Sequence, residues 1–506
     1  MEKPGYLFIM MLNLNPRKMM KQTTLFKSIG MLLLLGVMMS CTKNYGIQYP
    51  EGTTDNNHPA DTVDLVLDTS MFKVDKSQFN AARVFPGMVG IEEPRLKEYK
   101  VTLDLDYVQV ISSDLRINVA PGGFISTGMY APPGELITIK VPANTYGLAV
   151  QVGAHTENVG GFDPMLRPPI IYTRVQLFPG VNYVRNLYGG TIWINPERSL
   201  GRKVDLFFSG SVKSPDFVLG ETTDAEWKAM IAKTQVPWFE LRSKRMIFTL
   251  PVNKLAKFPI ESPTALMTAW DQEILKSYWE WYGLSETTTD LRNRNPTLPW
   301  RIVHELQLAP GVAQHSGYPV MALANDNYFK QAVTLSQVIG ANWGTYHELG
   351  HNMQMTSTWS WPDLGEVSCN FFSLKITNRN GYKHSNIYRA MPETIAFASI
   401  ANTDDKKLFT SASGDARMGM FIQIFERYGY DFMTYLCTQA RMARFGANND
   451  QDKKDFFYER LSEWTKKDMK PFMTQWGLYP SSVSKNKIAA QFPLLTEQVW
   501  LFDPSK

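Results

Sequence analysis

From about residue 98 to 210, apolar and polar residues alternate in short runs, the period of half-buried strands. Val101-Thr102-Leu103-Asp104-Leu105, Leu136 to Val141 and Leu148 to Val152 all carry it, punctuated by Pro132-Pro133-Gly134 and Gly160-Gly161. Closely spaced strands between turn residues predict a β-sandwich, with Tyr188 to Ile194 as its last strong strand. From about 211 the apolar spacing lengthens to that of helices. Asp224 to Lys233 and Ser262 to Gly283 are amphipathic. The second carries a stripe of Trp270, Ile274, Leu275, Tyr278 and Trp279, which suits a core better than a sugar platform. Three apolar runs, Arg245 to Leu250, Trp300 to Leu306 and Tyr318 to Leu323, interrupt the helices and predict a small sheet. Pro392 to Asn402, Ala416 to Tyr428, Asp431 to Arg444 and Asp452 to Lys466 predict a C-terminal helical bundle. The fold class expected is thus α+β and multidomain, a β-sandwich followed by a mainly helical domain with a small sheet.

The first forty residues change the picture of where the chain works. Lys21 and Lys27 precede the apolar run Ile29 to Met39, which is too short for a stable membrane span and reads as an export signal. The run ends at Ser40-Cys41, the pattern of a bacterial lipoprotein cleavage site, so Cys41 is the expected lipidation site. An uncleaved anchor or a buried helix is the alternative. Thr42 to Asp64 is polar and turn-rich, as in a flexible tether. Residues 1–40 hold Lys3, Arg17, Lys18, Lys21 and Lys27 against Glu2, a net +4 that equals the whole chain's +4. The rest is therefore about neutral, and nothing argues for nucleic acid. Besides Cys41 only Cys369 and Cys437 occur, too few for a disulfide framework, and both sit on apolar helical faces as expected for buried free thiols.

The densest chemistry lies in Asn342-Trp343-Gly344-Thr345-Tyr346-His347-Glu348-Leu349-Gly350-His351-Asn352. On a helix, positions four apart share a face, so His347 and His351 can address one metal ion. Neutral imidazole suits zinc, and Glu348 falls where a general base for a zinc-bound water would stand. With only 7 His in 506 residues, this spacing is hard to obtain by chance. Catalytic zinc keeps three protein ligands and an open position. Pro362 ends one element and Asp363 is a good N-cap for another, which places Glu366 in a helical first turn, with 14 residues between it and His351. Two His and one Glu form the ligand set of thermolysin-type peptidases. His155 reads as a surface or loop histidine with a weak chance of ligand contact, and His304-Glu305 lacks a second His at the required spacing.

The chain resembles the enhancin-like, mucin-directed zinc metallopeptidases (the M-sixty, gluzincin-type peptidases) over about residues 120 to 480. The resemblance is strongest at Ser126-Thr127-Gly128-Met129-Tyr130-Ala131-Pro132-Pro133-Gly134-Glu135, Val152-Gly153-Ala154-His155-Thr156, Tyr188-Gly189-Gly190, His347 to Asn352 and Gly365-Glu366-Val367. It implies metal ligation by His347, His351 and Glu366, a general base at Glu348, zinc as cofactor, and O-glycosylated, mucin-like proteins as substrates. Related enzymes carry an Asp four residues after the ligand Glu. Here that position is Asn370, so an amide is expected to orient a ligand histidine instead. The small sheet of this class offers an edge strand to substrate backbone, and Gly317 to Ala322 is the best candidate for it. The expected organisation is signal peptide 1–40, tether 41–75, sandwich 76–210, metallopeptidase 211–480 and tail 481–506. The lipid anchor would hold it at an outer membrane or cell surface. Tyr388 and Arg417 are candidates for stabilising an oxyanion, and the residues that bind substrate are unknown. Two other readings stay open: a general metallopeptidase indifferent to glycans, and a non-catalytic glycan-binding surface lipoprotein.

Overall fold

The computed structural model describes residues 85–506, apart from 384, 444 and 445 and the side chains of 386, 387 and 404. The expected signal peptide (1–40), the expected lipidation site Cys41 and the expected tether (41–75) lie outside the described residues. Nine strands come first: β1 (Tyr99–Asp104), β2 (Ile125–Ala131), β3 (Leu136–Val141), β4 (Leu148–Val152), β5 (Thr173–Leu177), β6 (Gly180–Arg185), β7 (Gly190–Pro196), β8 (Lys203–Ser209) and β9 (Val212–Lys213). They form two sheets, in the orders β1-β8-β3-β6 and β5-β4-β7-β2-β9. β7 is therefore not the last strong strand. β8 follows it and pairs with both β1 and β3, turning Val204, Leu206 and Phe208 inward. These meet Ile137, Ile139 and Val141 of β3 and Val150, Val152, Ile192 and Ile194 of the second sheet in one apolar layer. The alternation predicted this: odd positions of β3 face the core and even ones do not.

A third sheet contains β10 (Phe217–Val218), β11 (Trp238–Arg242), β12 (Met246–Pro251), β13 (Trp300–Glu305), β14 (Gln314–His315) and β15 (Val320–Leu323). Its order is β10-β11-β12-β13-β15-β14, parallel from β12 through β15 and antiparallel at β14. Trp193, Ala154, Val303 and Met321 cluster between it and the sandwich. At the same junction Glu240 accepts from Trp193 Nε1 (2.9 Å) and from Arg301 (3.0 Å), whose guanidinium lies 4.4 Å from the Trp193 ring. A buried charge with an opposite charge and a ring face is tolerable where a lone one is not.

Helices cover the other face, among them α1 (Asp224–Ile231), α2 (Pro263–Glu273), α3 (Asp326–Val333), α4 (Trp343–Met353), α5 (Gly365–Ser368), α6 (Phe371–Arg379), α7 (Gly414–Tyr428), α8 (Asp431–Met442) and α9 (Asp450–Thr465). A π-helical segment, Ile274–Trp279, continues α2. The tryptophan stripe is core: Trp270 meets Phe248 and Tyr346 (both 4.9 Å between ring centres), and Trp279 stacks on Trp300 at 5.7 Å. The architecture is α+β and multidomain, a β-sandwich beside a helical domain with a small mixed sheet.

Candidate metal centre

Helix α4 is held from both sides. Tyr346, Leu349 and Met353 form its buried stripe, and Tyr278 donates to the Tyr346 carbonyl at 2.8 Å. Its last carbonyls are satisfied from the sandwich side of the chain. Asn118 Nδ2 donates to His351 O, Val119 N to Asn352 O and Asn118 N to Gln354 O, each at 3.0 Å. Gly350 faces the next segment so closely that a Cβ there would stand 2.0 Å from the Cys369 carbonyl. Only glycine permits this approach, and the approach brings α5 and Glu366 alongside α4.

The three candidate ligand atoms form a near-equilateral triangle. His347 Nε2 and His351 Nε2 are 3.0 Å apart, and Glu366 Oε2 lies 3.3 and 3.5 Å from them. Ligands bound at about 2.0–2.1 Å around a tetrahedral ion sit about 3.3 Å from one another, so these spacings fit zinc. The protonation pattern fits too. Asn370 Nδ2 donates to the Glu366 carbonyl (2.8 Å), which turns Asn370 Oδ1 toward His347 Nδ1 at 2.7 Å. Gln354 Nε2 donates to Gly365 O (2.5 Å) and Ser368 Oγ (2.9 Å), which turns its Oε1 toward His351 Nδ1 at 3.1 Å. An amide oxygen only accepts, so each imidazole carries its proton on Nδ1 and leaves Nε2 bare. Two bare lone pairs and a carboxylate oxygen within 3.5 Å of one another are satisfied by a cation. Among the described residues, His347, His351, Glu366 and Cys369 make up the one group able to hold a metal.

Cys369 Sγ lies nearer His347 Nδ1 (3.5 Å) than Nε2 (4.0 Å), which puts it beside the ring. Burial, then the charges of Glu366 and Glu348, push its thiol well above the ordinary range, so it packs as a thiol. Glu348 is buried, and burial raises its carboxyl above the usual range while His347, His351 and His315 pull it back down. Glu366, by contrast, is 78% exposed, so the metal position opens outward. It opens into a cavity of about 600 Å³ lined by Gln314, His315, Tyr328, Trp343, Gly344 and Glu348 among others.

Several expectations need correction. The edge strand is β14, not Gly317 to Ala322. Val320–Leu323 is held between β13 and β14, and Pro319 lies just outside it, where no ladder donor is needed. His155 does lie in the loop after β4, but not at the surface. It is buried between the rings of Phe85 and Trp238, each centred 4.5 Å away, and burial lowers it to about 3, so it stays neutral. Tyr388 donates to Glu426, and Arg417 donates to Ala412 O and Asp363 O; neither lines the cavity. Asp363 caps nothing with its side chain; Pro362 opens a 3-10 turn that leads into α5. His304 is buried on β13, and Glu305 is fully buried against Arg167. Sequence reasoning missed Gln354, His315, Tyr328 and Gly344. Gln354 could have been found three residues after His351, at the polar end of the helix.

A His-Glu-x-x-His helix, a carboxylate from the following helix and a mixed sheet whose antiparallel edge borders the cavity are the frame of a metallopeptidase. The chain belongs to the family described as Peptidase M60, enhancin and enhancin-like, whose model matches residues 210–477, more than half of it. The N-terminal domain of M60-like peptidases matches residues 108–206. Among curated proteins it is 28% identical over 402 residues to a TRPM8 channel-associated factor homolog of Danio rerio, covering 75% of this chain and 42% of that one. The chain spans about two fifths of the length of the curated relatives it matches. Among solved structures it is similar to the ZmpB metallopeptidase of Clostridium perfringens (TM-score 0.65, 17% identity, 80% and 83% of the two chains). It is likewise similar to the M60 catalytic domain of ZmpC from the same organism, solved with the sialyl T antigen (0.61, 14%, 79% and 81%).

Proposed function

We propose that the protein is a zinc-dependent endopeptidase that cleaves O-glycosylated, mucin-like proteins. One observation carries the reading: His347, His351 and Glu366 converge at the mouth of a cavity that also contains the buried Glu348. Zinc, when bound there, supplies a water acidified toward neutral pH and polarises the scissile carbonyl. The chain does the rest. Asn370 and Gln354 hold the two imidazoles in the ligating tautomer, and Glu366 offers its carboxylate. Glu348 takes the water's proton and delivers it to the departing amine, and its raised carboxyl suits that exchange. The free side of β14 accepts substrate backbone as an added strand. Tyr328, whose hydroxyl is pushed up by burial and by Glu348, replaces Tyr388 and Arg417 as the candidate to steady the oxyanion.

The glycan part of the proposal is supported by family membership and by the ZmpC complex with sialyl T antigen. Mass spectrometry of a defined O-glycoprotein digested by wild type and by Glu348→Gln is the test. New termini beside glycosylated Ser or Thr, absent with the variant, are expected. A bare peptide cut as well as its glycosylated twin would instead mark a general metallopeptidase. No cleavage of mucin, casein or glycopeptide in excess zinc would leave a non-catalytic glycan-binding protein.

Lipid anchoring at Cys41, with exposure at an outer membrane or cell surface, belongs to the same proposal. Cys41→Ala should move the protein out of the membrane fraction, and unchanged attachment would refute the anchor.

A further inference from the structure

The loop between β4 and β5 belongs to the sandwich, yet it reaches across the third sheet to that sheet's free edge. Arg167 anchors it. The guanidinium and Glu305 on β13 are both fully buried and share two hydrogen bonds (2.8 and 2.9 Å). Arg167 also donates to the Glu157 carbonyl at 2.8 Å, fixing the backbone at that point. Leu166 N donates to Gln307 Oε1, and Gln307 Nε2 to Pro164 O, which fastens the middle of the loop. From this base the Glu157 carboxylate extends to His315 Nε2, 3.0 Å away on β14. The other ring nitrogen of His315 lies 2.9 Å from the Ser316 carbonyl. Both nitrogens therefore face acceptors: a neutral ring donates to one of them, an imidazolium to both.

β14 is short; the chain just after it is tied to α4 by two hydrogen bonds between Gly317 and Asn352 (both 2.9 Å), and Glu157 holds the strand itself. Two residues pair it to β15, Gln314 with Ala322 and His315 with Met321, and among the described residues its outer side carries no strand. A two-residue strand has little ladder of its own to hold it against thermal motion. Its neighbours along the chain line the cavity, and His315 itself forms part of the wall.

We propose that Glu157 is a positioning residue: through His315 it locks the edge strand in the place where an extended substrate must pair. The N-terminal domain is then part of the peptidase cleft, and the peptidase domain without it has a loose edge. This rests on the proposed peptidase reading, and the experiment separates the two.

The experiment measures binding of two probes to the zinc-loaded full chain: acetohydroxamate, which needs only the metal, and an O-glycosylated tetrapeptide hydroxamate, which must also lie along β14. Glu157→Ala should weaken the tetrapeptide about fivefold while leaving acetohydroxamate within about twofold, the scale of one partly exposed charged contact. Glu157→Gln, which keeps a hydrogen-bonding oxygen, should restore binding to within about twofold of wild type. His315→Ala should reproduce the loss, and the double variant should lose no more than either single one, the signature of a coupled pair. Thermal midpoints and zinc content check that each variant is folded. A wild type that binds neither probe sinks the peptidase reading and the clamp with it. A wild type that binds both, beside a Glu157→Ala that matches it or that loses both probes equally, sinks the clamp alone.

Discussion

Asn370→Ala removes one side chain that touches two of the three candidate ligands. Its Oδ1 accepts from His347 Nδ1 at 2.7 Å, and its Nδ2 donates to the Glu366 carbonyl at 2.8 Å. Without it the His347 proton can move to Nε2, where it blocks ligation, and the first turn of α5 loses a tie. Losing an outer partner of a metal-bound histidine costs about 10- to 100-fold in affinity, or about 1.4–2.7 kcal/mol. Two contacts are lost here, so the upper half of that range is expected. Gln354 still orients His351 and the fold stays intact, so the loss should appear in metal affinity and not in the secondary structure. The assay is competition for zinc against a chromophoric chelator at fixed pH, with circular dichroism on the same samples. An affinity within about threefold of wild type would show that the amide does not orient His347, and the tautomer argument for the site would fail.

Glu348→Gln should keep its zinc and lose at least about a hundredfold in turnover, measured on any substrate the wild type cuts; a near-normal rate would strip Glu348 of its role. Gly350→Ala puts a methyl 2.0 Å from the Cys369 carbonyl, and because backbone must yield, about 2–3 kcal/mol should be lost in denaturant titration together with zinc affinity. A stable, zinc-tight alanine variant would mean that α4 and α5 can part at no cost. Asp216 gives a pH test: burial first, then the nearby Glu240, raises its carboxyl to about 7. Its folded value lies above the unfolded 3.8, so the native state keeps the proton longer, and this group's contribution is full at low pH and lost as pH rises to about 7. Asp216→Asn keeps the oxygen that accepts from Glu240 N, so it should melt at or above the wild-type temperature at pH 8 and show no gain at pH 4. A clear drop at pH 8 would reverse the sign.

The parts of the site legible in the sequence were those carried by local spacing. His347 and His351 declared themselves by the helical period and Asn370 by its distance from Glu366, each one turn from its partner, and Glu366 by its place in the first turn of the next helix. The large strands were legible for the same reason, since a period of two repeats several times in six or seven residues. β14 was not, because two residues cannot display a period, and the proline that pointed to an edge lies just before β15 instead. His155 was misplaced because its surroundings come from Phe85 and Trp238, far away on either side in the chain. The Glu157–His315 contact joins residues 158 positions apart, one from each domain, and no local pattern announces such a pair.

The central claim is that His347, His351 and Glu366 hold one zinc ion, and X-ray absorption at the zinc edge of the loaded full chain tests it most directly. The account predicts two imidazole nitrogens at about 2.0–2.1 Å and carboxylate or water oxygen at about 2.0–2.2 Å, with that signal lost in Glu366→Ala and His347→Ala. A sulfur shell at about 2.3 Å, which only Cys369 could supply at this site, or a spectrum unchanged by either substitution, would contradict it.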